Sequence, residues 1–185
     1  MKKTPILGML VLLISCASAP NLDYYTLDMT PSKARGGGAN LVVDRFTVSE
    51  KLDRHQIVIQ QSPTRVSYYA TERWASSVGE LVEHKLAAEF GPVDADQRSL
   101  IVEGNVVAFE QIDSAAGPVA RVGFEITIRD GDSKRYETPL LEKSYEAERP
   151  TSDNNVDAVV QALSRAVEEI AAEIAEDAKG LSTHE

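Results

Sequence analysis

Ala120-Arg121-Val122-Gly123-Phe124-Glu125-Ile126-Thr127-Ile128-Arg129 is the most regular stretch of the chain. Ala120, Val122, Phe124, Ile126 and Ile128 fall on one side of an extended chain, while Arg121, Glu125, Thr127 and Arg129 fall on the other, because successive strand side chains alternate faces. A strand with one apolar and one wet face belongs to a sheet covered on a single side. Asp130-Gly131 follows as a hairpin turn signal. Arg135 to Ala147 is then expected to return as the next strand, with Pro139 restricting it to an edge or a bulge. Upstream, Ser99 to Ile112 carries apolar residues on both faces, with Gly104 as a bulge or a point of close approach.

Further outward, Leu41 to Val48 reads as a strand, as does Leu22 to Leu27 with its paired tyrosines. Gln56 to Gln60 and Arg65 to Tyr69 flank Ser62-Pro63-Thr64 as a hairpin with a proline turn. Thr30 to Asn40 is a loop. Its Gly36-Gly37-Gly38 run leads into a strand rather than a helix, which excludes a phosphate-cradling loop.

Two helices complete the pattern. For the first, Thr71 is the expected cap, Glu72 suits the positive end, and Trp74, Val78, Leu81, Val82, Leu86 and Phe90 share a face until Gly91-Pro92 stops it. The second runs from Val156 to Lys179, capped within 151–155 and ended by Gly180. Its Val156, Val160, Leu163, Val167, Ile170 and Ile174 form a heptad-like seam too short for a coiled coil, so packing on the chain's own sheet is expected. Asp157, Glu168, Glu169, Glu173, Glu176 and Asp177 read as its solvated face. The fold class is α+β: a single domain, mainly antiparallel sheet packed by two amphipathic helices.

The N-terminus has a different character. Lys2 and Lys3 precede an apolar run from Ile6 to Ile14, too short to span a bilayer, which reads as an export signal. Leu13-Ile14-Ser15-Cys16 resembles a bacterial lipobox, which makes Cys16 the lipidated first residue of the mature chain. A plain signal peptide cut near Ala17-Ser18-Ala19 is the alternative. Cys16 is the sole cysteine of the 185 residues, so an exported chain would otherwise carry an unpaired thiol into an oxidising compartment. The expected organisation is signal peptide 1–15, lipidated tether 16–21, domain 22–180 and tail 181–185.

Composition narrows the function. The hydrophobic share of 43% and charged share of 26% are those of an ordinary globular domain. Net charge is -10, and removal of Lys2 and Lys3 leaves a still more acidic body, a poor partner for nucleic acid. His55, His84 and His184 have no ligand spacing, there is no nucleophile elbow or phosphate-binding loop, and Glu168-Glu169 sits on an acidic helix face. No catalytic set, metal or cofactor is indicated. The candidate partner contacts are an aromatic and basic set, Tyr24, Tyr25, Arg54, Tyr68, Tyr69, Arg73 and Trp74, although strand tyrosines and a helix tryptophan also serve as core.

The order of these parts resembles the PqiC/YmbA-like family of ABC-type transport auxiliary lipoproteins. The resemblance rests on the lipobox, Tyr24-Tyr25-Thr26-Leu27, Val43-Asp44-Arg45-Phe46, Asp53-Arg54-His55-Gln56-Ile57-Val58 and Arg73-Trp74-Ala75. It continues through Val102, Glu103, Val106 and Phe109 to the Ala-rich final helix. The family often has Trp where this chain has Phe124, and Pro where it has His55. The resemblance implies a lipoprotein of the outer membrane, facing the periplasm. It would act without catalysis as a docking or assembly component for an MCE-domain protein of an intermembrane phospholipid transporter, in one copy or in a ring of copies. Ala17 agrees with the outer membrane, since Asp there favours inner-membrane retention in enteric-type sorting. A similar tethered domain that binds and activates a cell-wall enzyme is the alternative function.

Overall fold

The computed structural model describes residues 20–32, 39–134 and 136–182. Cys16, the expected signal peptide at 1–15, Gly36 to Gly38, Arg135 and His184 lie outside the described residues. The elements run β1 (Asp23–Tyr25), β2 (Leu41–Val48), β3 (Gln56–Ser62), β4 (Arg65–Trp74), α1 (Val78–Phe90), β5 (Leu100–Ser114), β6 (Gly117–Asp130), β7 (Leu141–Pro150) and α2 (Val156–Ser182), with a short 3-10 turn at Glu50–Leu52. The architecture is α+β, as the alternation in β6 requires.

One seven-stranded mixed sheet has the order β1-β4-β3-β5-β6-β7. β5 is long enough to hold two strands in succession on one edge, β2 beside Leu100 to Val106 and β3 beside Glu110 to Ile112, both parallel to it. Its other edge carries β6 in a long antiparallel ladder that continues to β7. Antiparallel pairing dominates by length.

The two helices lie against one face. Ala120, Val122, Phe124, Ile126 and Ile128 are all buried there, with Val102, Val106 and Phe109 of β5 beside them. α2 buries a stripe wider than its heptad seam, because Val159, Ala162, Ala166, Ala171, Ala175 and Ala178 join Val160, Leu163, Val167, Ile170 and Ile174. Small residues flanking a branched seam let a helix lie close on its own sheet. α1 approaches β2 closely at Gly79, where a Cβ would stand 2.6 Å from the Phe46 carbonyl oxygen. Glu83 of α1 accepts from the Phe46 N–H at 2.7 Å, where β2 slips register against β5 and the backbone donor has lost its ladder partner.

Four expectations are corrected. The first helix starts at Val78 rather than near Thr71, and Trp74 ends a strand. Ser77 accepts from the Glu80 N–H while Glu80 accepts from the Ser77 N–H, a reciprocal capping box. Residues 72–74 pair instead with β1, and the Trp74 N–H donates to His55 O. The four-three spacing of Trp74, Val78 and Leu81 imitated a helical face that tertiary pairing overrode.

Asp130-Gly131 does not make a two-residue hairpin. The Asp130 carboxylate accepts from the Asp132 N–H and from Arg98, Gly131 N–H donates to Ser99 O, and the chain detours before β7 begins at Leu141. Pro139 therefore precedes the strand, although β7 is indeed an edge. α2 runs through Gly180 to Ser182, since Ala178 is still packed on the core and one glycine costs only about 1 kcal/mol in a helix. β1 is confined to Asp23–Tyr25, while Leu27 leaves the sheet as a core residue.

Candidate interaction surface

The aromatic and basic set does not form one patch. β1 pairs in parallel with the end of β4, placing Tyr24 opposite Arg73 and Tyr25 opposite Trp74. Tyr24 is 65% exposed at this outer strand. Tyr25 is half-buried; partial desolvation, with Asp157, Asp23 and Glu72 nearby, raises its phenol above the ordinary value. Tyr69, also half-buried, donates its hydroxyl to Gln111 Oε1. Burial followed by the charge of Asp113 pushes it up as well.

Trp74 is 1% exposed and packs on Phe109 with ring centroids 5.3 Å apart. Its indole N–H has no acceptor among the described residues. Arg73 donates to the carbonyls of Tyr69, Ala70 and Glu72, closing a bulge where β4 holds extra residues against β3. Arg54 lies over the Tyr68 ring at 4.9 Å. Tyr24 and Arg54 are therefore the exposed members, with Arg54 stacked on the half-buried Tyr68 ring. Trp74 serves the core and Arg73 the backbone.

The register shows that Tyr68 is on the face opposite the helices. Tyr68, Val58, Glu110 and Arg121 form one row across β4, β3, β5 and β6. Gln111 belongs to the adjacent row with Ala120 and Arg149, and Arg149 makes an ion pair with Glu169 of α2. Neighbouring rows face opposite ways.

On the helix-free face, Glu110 is wholly buried and bonds Lys51 at 2.6 Å and Arg121 at 2.5 Å. Burial would lower the Arg121 guanidinium, but its bond to Glu110 outweighs that and raises it. Lys51 and Arg121, at 30% and 28% exposure, line two adjoining open grooves. One, of about 660 Å³, includes Gln60, Ser62, Pro63 and Ile112; the other, of about 420 Å³, includes Gly123, Ser144 and Glu146.

A second buried charge cluster lies on the helix side. Lys85, with no exposed surface, donates to Glu89 Oε1 at 2.7 Å, to Glu168 Oε1 at 2.8 Å and to Thr30 O at 3.1 Å. Glu89 in turn accepts from the Ser32 N–H and hydroxyl, and the Asp28 N–H donates to Ser164 Oγ. The arm after β1 is thus pinned to both helices. The acidic residues of α2 are not only solvated: Glu168 holds Lys85, Glu169 holds Arg149, and Asp177 accepts from Lys143 and the Tyr145 hydroxyl.

Neither cluster was anticipated from sequence, though signals existed. Lys85 is four residues after Leu81 and three after Val82, hence on the apolar face, with Glu89 one turn on. Glu110 interrupts the apolar run of β5. Buried charges are retained only when paired, so each marked a missing partner.

Among the described residues there is no group of His, Cys, Asp and Glu suited to a metal, and no helix long and apolar enough to cross a membrane. The paired charges are structural in geometry, bound to one another rather than aimed into an enclosed cavity. The domain thus combines a closed core, charged clasps and open surface grooves.

The chain belongs to the family of ABC-type transport auxiliary lipoprotein components, whose model matches residues 25–175. Transport-associated lipoproteins of the cell envelope are the class in which it stands. Two crystal structures share its fold. One, of an uncharacterized protein, has a TM-score of 0.67 at 17% identity, covering 85% of this chain and 99% of its own. The other, of protein XCC0632 from Xanthomonas campestris, has a TM-score of 0.68 at 16% identity, covering 88% of this chain and 96% of its own. No curated protein matches the chain.

Proposed function

We propose that this chain is a non-catalytic lipoprotein, acylated at Cys16 and held at the outer membrane, that docks an MCE-domain protein of an ABC-type phospholipid transporter on its periplasmic side. The observation that carries this reading is the family match across the folded domain, which begins nine residues after a lipobox cysteine. The placement of side chains supports it. The ionisable residues that are buried hold one another, whereas Tyr24 and Arg54, the latter braced on the half-buried Tyr68 ring, stand at the surface as aromatic and arginine anchors of the kind that dominate binding energy.

A photoreactive residue at Tyr24, Arg54 or Tyr68 in living cells is expected to capture an MCE protein. Capture of a cell-wall synthase instead, or of neither from all three positions and their exposed neighbours, would overturn the docking role. Conversion of Cys16 to Ser is expected to leave a folded body that no longer complements a deletion. Full complementation would remove the lipid from the mechanism.

A further inference from the structure

The direction of β1 decides which end of the domain meets the bilayer. β1 runs parallel to β4, so its N-terminal side points toward the β3–β4 turn at Pro63-Thr64. β3 is antiparallel to β4 and parallel to β5, and β5 turns into β6 at Ala115-Ala116. Val119 pairs with Pro150, which puts the end of β7 and the start of α2 at the same level. The turns at 63–64, 115–116 and 150–155 therefore share one end, and the loops at 91–99 and 131–140 share the other.

Covalent reach discriminates between them. Whatever path residues 17–22 take, Cys16 lies at most about 25 Å from Asp23, because a chain extends no more than about 3.6 Å per residue. Asp23 pairs with Glu72, next to Arg73, which pairs with Gln56 at about the level of Phe109 in β5. From that level Ser114 is about 17 Å along β5 in the direction β1 comes from, whereas Leu100 is about 30 Å away in the other direction, at about 3.3 Å per residue. The loop at 131–140 lies beyond Leu100 and three strands across from β4. The tether spans the first distance and falls short of the second.

The chemistry of the two ends agrees with the geometry. Within the turns at 63–64, 115–116 and 150–155 the one charged residue is Asp153, beside exposed Pro63, Thr64, Ala115, Ala116 and Pro150. The loops at the opposite end carry charges of both signs, with Asp94, Asp96 and Arg98 in one and Asp132, Lys134, Arg135 and Glu137 in the other. An end with few charges loses little hydration on approach to lipid headgroups, whereas a densely charged one loses more.

We infer that the end formed by Pro63-Thr64, Ala115-Ala116 and the 150–155 turn rests on the bilayer that holds the Cys16 lipid, and that the charged loops at 91–99 and 131–140 project into the aqueous space. This orientation rests on acylation at Cys16 as proposed above.

The test uses the full chain, exported, purified in detergent and returned to phosphatidylethanolamine–phosphatidylglycerol vesicles carrying a nitroxide on some headgroups. With Cys16 acylated, Ala116→Cys, Thr64→Cys, Asp94→Cys and Asp132→Cys each introduce one free thiol at an exposed turn for a fluorophore. Labels at 116 and 64 are expected to lose most of their emission, and labels at 94 and 132 to keep most of theirs. Equal quenching at the two ends, or the reverse order, overturns the orientation. The mass of the N-terminal peptide separates the two ideas. Acyl chains present with the wrong quenching pattern sink the orientation alone, while their absence removes the anchor and the orientation with it.

Discussion

The two buried charge clusters are inverse copies of each other. On the helix side one lysine sits between two glutamates, and on the open face one glutamate sits between a lysine and an arginine. Their surroundings differ. Glu89 is 3% exposed and has nowhere to turn if Lys85 is lost, whereas Lys51 and Arg121 keep about a third of their surface in water. The stability of such a cluster therefore depends less on the central ion than on what its partners can do without it. The enclosed cluster is a clasp for the 28–32 arm; the open one holds groove-lining cations in place.

The largest expected effect is that of Lys85→Met, which strands a buried carboxylate and should cost about 3–5 kcal/mol in a denaturant titration at pH 7. A loss near zero would mean that the clasp does not bear on stability and that the contrast between the clusters fails. Trp74→Ala should cost a similar ~3–5 kcal/mol by cavity formation against Phe109, and serves as the uncharged benchmark. Its loss should be the same at pH 7 and pH 4; a loss that varies with pH would mean that Trp74 acts through a neighbouring charge.

Acid titration sharpens the same contrast. Burial alone would raise the Glu89 carboxyl, but hydrogen bonds from Lys85 and Ser32 outweigh it and hold the carboxyl below its ordinary value of 4.5. A folded pKa below the unfolded one contributes stability above pH ~4.5, and that stability is lost as pH falls through the folded value. Lys85 is shifted up: burial opposes its charge, but bonds to Glu168 and Glu89 prevail. Its contribution is present below pH ~10.5 and is lost only as pH rises through the folded value. Glu89→Gln should therefore flatten the acid limb of the stability curve below pH ~4.5, and an unchanged limb would assign acid unfolding to other carboxylates.

On the open face the effects are smaller. Arg121→Met leaves Glu110 with Lys51 and should cost about 1–2 kcal/mol. Glu110→Leu removes the buried charge itself and frees two cations to extend into water, so stability should stay within about 1 kcal/mol of the parent. A cost equal to that of Lys85→Met would show that the open cluster is as tightly enclosed as the other.

Much of the fold was legible where a single element sufficed. The alternation from Ala120 to Ile128, the Pro63 turn and the Gly91 stop each need only local geometry. The candidate surface was harder to read because its set was assembled from residue type. Tyr24, Trp74 and Arg73 are neighbours in sequence or in register, yet one is exposed, one is core and one ties down a bulge. Composition carries no information about which row of the sheet a side chain joins.

By itself the sequence determined the one-sided sheet, the apolar stripe of α2 and the family resemblance, all of which rest on spacing within segments. Only the tertiary structure decided that Trp74 ends a strand, that α2 passes Gly180, that Lys85 and Glu110 are paired ions, and which end of the sheet β1 points toward. Those facts depend on pairings between residues up to 136 apart in the chain, as between Asp28 and Ser164, and no local pattern encodes them.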